Sequence, residues 1–488
     1  MSEGRKLLGA SLVYGFGAIL VRGLTFVMLP FYTRWLTPAD YGIIGLATSV
    51  SAVLGVVLTL GLNGALSRFW FGAQDDEQRA RQSGTIVVTM LVAAVTITGL
   101  VDLIGTAVGG HLFRDVAWSP YMRTAIWSAC LTVFGISPTV LLQVRQRPLA
   151  YVLLSAAQSV ITIGSVIVFV VGFGQGAAGY LRGLLIGNAL LLIPNLWITF
   201  RHVRIALDGP TLRDALKFGL PLVPHNLGSW ALSYVDRAIL ERNVTLGDLG
   251  IYSLGFQAGT VMSVVSNAAN SAWGPYFYAE IEREGGPDKP KLSGYVTFFV
   301  SALAFVALGL ASVGPDFLVL VIGKAFAPAA GVVPWIVLGN LFSGLYVIPG
   351  HFLFAMKRTK VIPFLTLGAA IVSVATNVSL IPTYGIRGAC WSSVLANATL
   401  LIGYLIAGRF VLPFPYEVSR LLRALALGAV LFALTVAIGY SLSPVLAFTA
   451  KLVVVLAYPV LLVVTGVLDR DWLKIPLARL GRRATRPS

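Results

Sequence analysis

Apolar runs of about 20 residues, long enough to cross ~30 Å of hydrocarbon, follow one another from end to end of the sequence. They predict membrane spans near 8–30, 41–66, 84–107, 119–141, 149–171, 181–200, 214–235, 249–271, 294–313, 328–355, 361–381, 386–407, 421–441 and 445–467. The first run holds Arg22 and continues into the second, which argues against a cleaved leader. The loops between runs are short, leaving no room for a soluble domain. The expected fold is an all-α integral membrane protein of about fourteen helices.

Polar residues inside these runs keep helical spacing. Ser11, Gly15, Ala18, Arg22 and Thr25 lie on one face of the first span, and Asn226, Ser229, Ser233 and Asp236 on one face of the seventh. The second span carries Gly55, Thr59, Asn63 and Ser67, and the eighth carries Ser253, Gln257, Thr260, Ser263, Asn267 and Asn270. Polar side chains in a membrane turn toward protein or water, so the four stripes predict walls of a central polar cavity. Ser, Thr and Gly also pack helices together in any bundle; the Asn and Gln residues and Arg22 favour the cavity.

The sequence also repeats itself. At an offset of 208, Arg34, Thr37, Asp40, Gly42, Ile43 and Leu46 coincide with Arg242, Thr245, Asp248, Gly250, Ile251 and Leu254. Arg182-Gly183 echoes Arg387-Gly388. This predicts a six-span N-lobe over 1–207, a six-span C-lobe over 208–410, two added helices within 411–470 and a basic tail over 471–488. Because six is even, both copies enter from the same side.

Charge orients the chain. The 488 residues are 57% apolar and only 11% charged, against about 25% charged in a soluble domain. Connections on the side of the termini carry 26 of the 36 Lys and Arg, and those on the other side carry 7. The positive-inside rule makes the first side cytoplasmic. The net charge of +16 is then mainly a topology signal and no pointer to nucleic acid, though the tail can rest on anionic lipid.

Arg22 is the most informative residue, since a mid-membrane charge costs roughly 2.5–3.5 kcal/mol. It reads as an anchor for an anionic group, phosphate above all, or as a cation paired with another helix. Arg123 reads as a snorkelling side chain, and Asp102 as a proton site or a salt-bridge partner. Prolines interrupt several spans (Pro138, Pro194, Pro221, Pro224, Pro334, Pro349), and the pair Pro221 and Pro224 is the best hinge candidate.

Other signals fall away. The Gly174–Gly179 match to a dinucleotide fingerprint follows no strand. No phosphate-loop motif occurs, and the four histidines have no metal spacing. Cys130 and Cys390 lie within spans and read as small apolar residues. Nothing resembles a nucleophile with its base, so no enzyme, metal or cofactor is expected.

Leu29-Pro30 through Arg34, followed by Leu36 through Gly42, resembles the opening of bacterial polysaccharide-biosynthesis exporters of the O-antigen type. Gly219 through His225 leading to Asp236-Arg237, Gly314-Pro315 through Pro328, and Asn377 through Ala389 are similar to later parts of that family. Its superfamily also holds multidrug extruders and peptidoglycan-precursor flippases. The resemblance implies two lobes, alternating access about a cationic cavity, and an undecaprenyl-diphosphate-linked oligosaccharide as cargo. It implies membrane lipids and other polysaccharide assembly proteins as partners, and a bacterial inner membrane as location. Arg22 would be the cavity arginine; Trp230 stands where the second copy would have its counterpart. The sequence leaves the energy source open, with a proton or sodium gradient among the options. The alternatives are a multidrug-type cation antiporter, a peptidoglycan-precursor flippase and, as a different class, a membrane-embedded sugar transferase.

Overall fold

The computed structural model describes residues 17, 23–24, 26–283, 288–411, 413–441 and 443–469. Arg22, Thr25 and the basic tail lie outside the described residues. The described chain is helical, and twelve of its helices are long and apolar enough to cross a membrane: Pro38–Gly72, Asp76–Leu112, Trp118–Val144, Pro148–Gly172, Gly176–Phe200, Leu246–Ile281, Lys289–Ser312, Val333–Ala355, Thr359–Tyr384, Ile386–Val411, Val418–Ser441 and Val445–Val464. They match spans two to six and eight to fourteen of the sequence. The seventh is present as Gly209–Gly219 and Leu222–Asn243. The protein is a multi-pass membrane protein.

Proline explains three of the helix breaks. Spans six, seven and ten are interrupted at Leu191, at Leu220–Pro221 and at Tyr346, ahead of Pro194, Pro224 and Pro349. A proline ring has no N–H to give and collides with the carbonyl four residues back, so the ladder fails one turn before it. Spans two and eight break without proline, at Leu60–Gly61 and at Thr260. Both Leu60 and Gly61 are left-handed there, with φ of 50° and 68°.

The repeat seen in sequence has a physical basis at the start of spans two and eight. Thr37 accepts a bond from the Asp40 N–H at 3.1 Å while Asp40 accepts one from the Thr37 N–H at 2.9 Å. Thr245 accepts from the Asp248 N–H at 3.1 Å and donates its hydroxyl to Asp248. The matched Thr and Asp are helix caps. They also explain why two such apolar segments still align at polar positions.

The chain forms two compact units. The first is the chain through Leu254 with Val321–Ala329 and Thr366–Ala396; the second is Gly255–Leu320, Ala330–Leu365 and the chain from Asn397. In the second unit the two appended helices dock on span nine. Ala304 and Leu308 share a buried cluster with Ala424, Leu431, Val455 and Tyr458. Thr435 donates to Ser312 at 2.9 Å. Lys451, 8% exposed, donates to both carboxylate oxygens of Asp316 at 2.8 and 3.0 Å. Asp316→Ala leaves that ammonium buried and is expected to cost about 2 kcal/mol, below the ~3–5 of a fully enclosed pair because Asp316 is partly exposed. Lys451→Met should cost clearly less, since the carboxylate left behind reaches water. Thermal unfolding of the two detergent-purified variants checks the order.

Candidate functional site

The first unit contains the two ends at which the sequence repeats touch. Gly42 of span two packs so tightly on the Leu246 carbonyl that a methyl group there would overlap it, and Gly250 of span eight does the same on the Pro38 carbonyl. Under the 208 offset Gly42 corresponds to Gly250 and Pro38 to Leu246. Each contact is therefore the image of the other under the repeat, the signature of a two-fold axis. One turn further, Gly45 faces the Ser253 side chain, and these two are also counterparts. The glycines are needed because only hydrogen lets two helix backbones come this close.

Other contacts at the same end join connections that the charge count placed on the arginine-poor side. The Gly323 N–H donates to Thr33 at 3.3 Å, and Tyr41 packs edge-on against Phe326. The Asp115 N–H donates to Glu241 at 2.8 Å, and Arg242 donates to the Leu112 carbonyl at 2.9 Å. Asp40 accepts from the Ala177 N–H at 2.8 Å. Glu241 is 1% exposed, and its other oxygen has no hydrogen-bond partner among the described residues.

From this end spans two and seven run antiparallel as far as their breaks. Trp230 Nε1 donates to the Ser49 carbonyl at 2.9 Å, and Ser49 Oγ donates to the Tyr234 carbonyl at 2.9 Å. The position that corresponds to Arg22 is thus filled by an indole that pegs span seven to span two. The two breaks then abut. Gly61 meets the Gly219 carbonyl, and a Cβ on Gly219 would lie 2.6 Å from the Leu60 carbonyl. Pro221 caps the second helix of span seven and Pro224 sits one turn in, so the hinge proposed from sequence adjoins a second break that carried no proline signal.

The polar candidates sort around this junction. Thr59 is buried at the end of its helix and donates to its own Gly55 and Val56 carbonyls, both at 3.1 Å. Asn63 is exposed on the next helix, and Asn226 is half-buried just beyond the span-seven break. Ser229 is exposed and donates to the His225 carbonyl at 3.2 Å; Ser233 donates to the Ser229 carbonyl at 3.1 Å. Packing of spans two and seven brings Thr59, Asn63 and the start of the Asn226 stripe to one level. Gln257 and Asn267 belong to the second unit. Gln257 is half-buried and its carbonyl accepts from Thr260 at 2.6 Å; Asn267 is exposed and its carbonyl accepts from Ser271 at 2.9 Å.

Asp236 ends the stripe in a different setting. It is 5% exposed, accepts from the Arg237 guanidinium and backbone N–H at 2.8 Å each, and takes a short bond from the Tyr252 hydroxyl. The Arg237 guanidinium lies over the Tyr234 and Tyr252 rings at 5.1 and 5.7 Å. The helix runs on to Asn243, eight residues past the expected end of the span, so this pair is inside it.

Asp102 is a salt-bridge partner. It accepts from Arg123 at 3.0 Å and from the Trp127 and Trp118 indoles at 3.1 and 3.2 Å. Arg123 is accordingly an ion-pair member as well as a long surface side chain. Sequence reasoning missed a further cluster in the second unit. His351 donates from Nε2 to Asn270 at 2.8 Å, while Nδ1 accepts from the Tyr278 hydroxyl at 3.0 Å. A neutral ring satisfies both bonds. Asn270 was on the span-eight stripe; nothing in the sequence tied it to a histidine 81 positions away.

A membrane bundle built from two related sets of helices, crossing on a two-fold axis and broken at mid-span, agrees with the comparisons. Residues 7–279 match the family described as polysaccharide biosynthesis protein. The chain belongs to that family. Among relatives of this polysaccharide biosynthesis protein, a Haemophilus influenzae protein named for the Lsg locus is 24% identical over 404 residues, covering 78% of this chain and 95% of its own. A Haloferax volcanii protein named as a probable low-salt glycan biosynthesis flippase is 21% identical over 402 residues, covering 81% and 82%. The fold is shared with the lipid II flippase MurJ in an inward closed conformation, at TM-score 0.71 and 11% identity over 93% of this chain and 100% of that one. It is shared also with an inward-facing multidrug resistance transporter of the MOP superfamily, at TM-score 0.60 and 14% identity over 78% and 94%.

Proposed function

We propose that this polysaccharide biosynthesis protein is a flippase. It carries an undecaprenyl-diphosphate-linked oligosaccharide from the cytoplasmic to the periplasmic leaflet of a bacterial inner membrane. Both termini are cytoplasmic, and lobes 1–207 and 208–410 alternate access. The observation that carries the reading is the reciprocal crossing at Gly42 and Gly250. A carrier needs a seal that two equivalent halves can make and break by rocking about a shared axis. The contact is that kind of seal, on the face that the arginine count makes periplasmic. The abutting breaks of spans two and seven add a place where both helices can bend.

The names of the relatives and the fold neighbours support a flippase over an enzyme. The antiporter reading favours open carboxylates in the cavity. Asp102 and Asp236, the two spanning carboxylates of the first unit that were candidates for that role, are instead engaged by arginines. In the proposed reading the glycan and diphosphate pass between polar walls that include Thr59, Asn63, Asn226, Ser229, Ser233, Gln257 and Asn267, with Arg22 meeting the anionic group and Pro221 and Pro224 flexing. The polyprenyl tail stays in lipid.

The test is export per molecule. Arg22→Ala should insert at the normal level yet leave lipid-linked oligosaccharide on the cytoplasmic leaflet, with export down at least about tenfold, the scale of one charge-assisted bond. Arg22→Lys keeps the charge but loses the two-pronged geometry and should transport weakly. Arg22→Glu should be worst. Normal export by Arg22→Ala at equal abundance would remove the cargo role.

A further inference from the structure

A cavity of 750 Å³ opens at the arginine-rich end of spans four, five and six, far from the crossing at the other face. Its charged wall is Arg145, Arg147 and Arg201, with His202 and Trp197 beside them. Arg145 and Arg147 also border a neighbouring cavity of 420 Å³ with Trp70 and Asp76, so the two spaces adjoin. The turn that presents two of these arginines is built. The Gln146 N–H donates to the Gln143 carbonyl and the Arg147 N–H to the Leu142 carbonyl, both at 3.0 Å, with Gln146 left-handed at φ 54°. That is the double bond pattern that ends a helix sharply, and it sets Arg145 and Arg147 on either side of one residue. Pro148 then starts span five, whose first N–H groups have no helical partner.

The cations around this cavity fall into two sets. Arg79, Arg81 and Arg204 are engaged by Asp76, Asp208 and Glu77. Among the described residues, Arg145, Arg147 and Arg201 have no carboxylate within 4.0 Å. Arg145 lies 5.7 Å from the Trp70 ring centroid and Arg201 5.2 Å from that of Trp197, contacts that orient a guanidinium without neutralising it. His202 spends Nδ1 on the Ile198 carbonyl at 2.7 Å. Three guanidiniums with no ion-pair partner among the described residues thus converge on one space from two different connections. Above them the wall becomes apolar: Leu153 lines the cavity at 60% exposed, and Trp197 is 62% exposed. Arginine at water level, tryptophan at the interface and leucine above is the order in which a lipid presents phosphate, ester and chain.

We infer that this cavity holds the phosphate group of a membrane lipid, gripped by Arg145, Arg147 and Arg201, with the lipid chain along span five. The inference stands apart from the flippase reading, because binding can be measured without transport. Two lipids carry the required chemistry, an anionic glycerophospholipid and a polyprenyl diphosphate.

Native mass spectrometry of the full-length protein, titrated separately with phosphatidylglycerol, undecaprenyl diphosphate and inorganic phosphate, tests it. Both lipids should bind the wild type, and inorganic phosphate should bind far more weakly because it lacks the chain. Each Arg→Gln change should weaken lipid binding about fivefold, and Arg145→Gln, Arg147→Gln and Arg201→Gln together roughly 100-fold. Ala150→Trp, which fills the cavity and leaves every charge in place, should weaken it too. A control triple on the opposite face (Arg114→Gln, Arg182→Gln, Arg387→Gln) removes the same charge and should stay within about twofold. Melting temperature confirms that each variant is folded. Tighter binding of undecaprenyl diphosphate makes the site a loading point for polyprenyl lipid; tighter binding of phosphatidylglycerol makes it an anchor in the leaflet. Undiminished binding by the folded arginine triple, an equal loss in the control triple, or inorganic phosphate binding as tightly as the lipids would overturn the assignment.

Discussion

Asp236→Ala should reach the membrane at a small fraction of the wild-type level. The change strips the carboxylate from a guanidinium that is only 5% exposed, and it removes the acceptor of the Tyr252 hydroxyl. Breaking a buried pair from one side costs about 3–5 kcal/mol, a large part of the stability of most proteins. Removing both charges with bulk retained, as in Asp236→Leu with Arg237→Met, should restore much of the level, because no charge is then stranded. Protein abundance and detergent melting of the single and double variants give the comparison. A single variant that inserts and melts like the wild type but does not export would instead assign Asp236 to cargo or to proton movement. The candidate list from sequence holds Asp236 as a cavity residue, and this experiment separates that role from a structural one.

Leucine at Gly42 or at Gly250 should stop export with little effect on insertion. Each side chain would have to enter space held by the backbone of the opposite repeat, and backbone cannot rotate aside as a side chain can. Overpacking costs of about 1–3 kcal/mol would fall on the state in which this face is closed. That lowers its population relative to the open state about 5- to 150-fold. Gly99→Leu on span three is the control, since a side chain there meets open space away from the polar stripes. The mechanism has its own readout. A cysteine at Ser253, 8% exposed against Gly45, should be slow to react with a periplasmic thiol reagent in the wild type and fast in Gly42→Leu. The native Cys130 and Cys390 are both buried and give a low background. Wild-type export and equal labelling in Gly42→Leu and Gly99→Leu would mean that the crossing is fixed packing and takes no part in the cycle.

Much of this architecture was legible because it is governed by local or additive terms. Apolar length sets the spans, and the arginine count sorts the connections; Thr33 with Gly323, and Asp115 with Glu241, are contacts between connections so sorted. Proline marked the breaks of spans six, seven and ten. The break at Leu60–Gly61 was not legible, because a leucine at φ 50° is held there by contact with Gly219, and no local preference of leucine asks for it. The helix of span seven outlasts the expected span for a related reason. Asp236, Arg237 and Glu241 look like the end of a membrane segment, yet pairing and packing let the helix carry them onward.

The sequence by itself determined what depends on a residue and its near neighbours: the apolar helices, the Thr-x-x-Asp caps, and the offset that relates the two copies. The tertiary structure decided which of the matched positions touch. Gly42 and Gly250 are ordinary small residues in either copy read alone, and become a two-fold seal only when the helices cross there. It also decided whether each charge is free or compensated. Asp102 meets Arg123 and two indoles from 16 to 25 positions away, whereas Arg145 and Arg201 meet no acid among the described residues. A charge in or beside a membrane is tolerated only through what surrounds it in space, and that is set by packing between helices, which the order of residues along one helix does not contain.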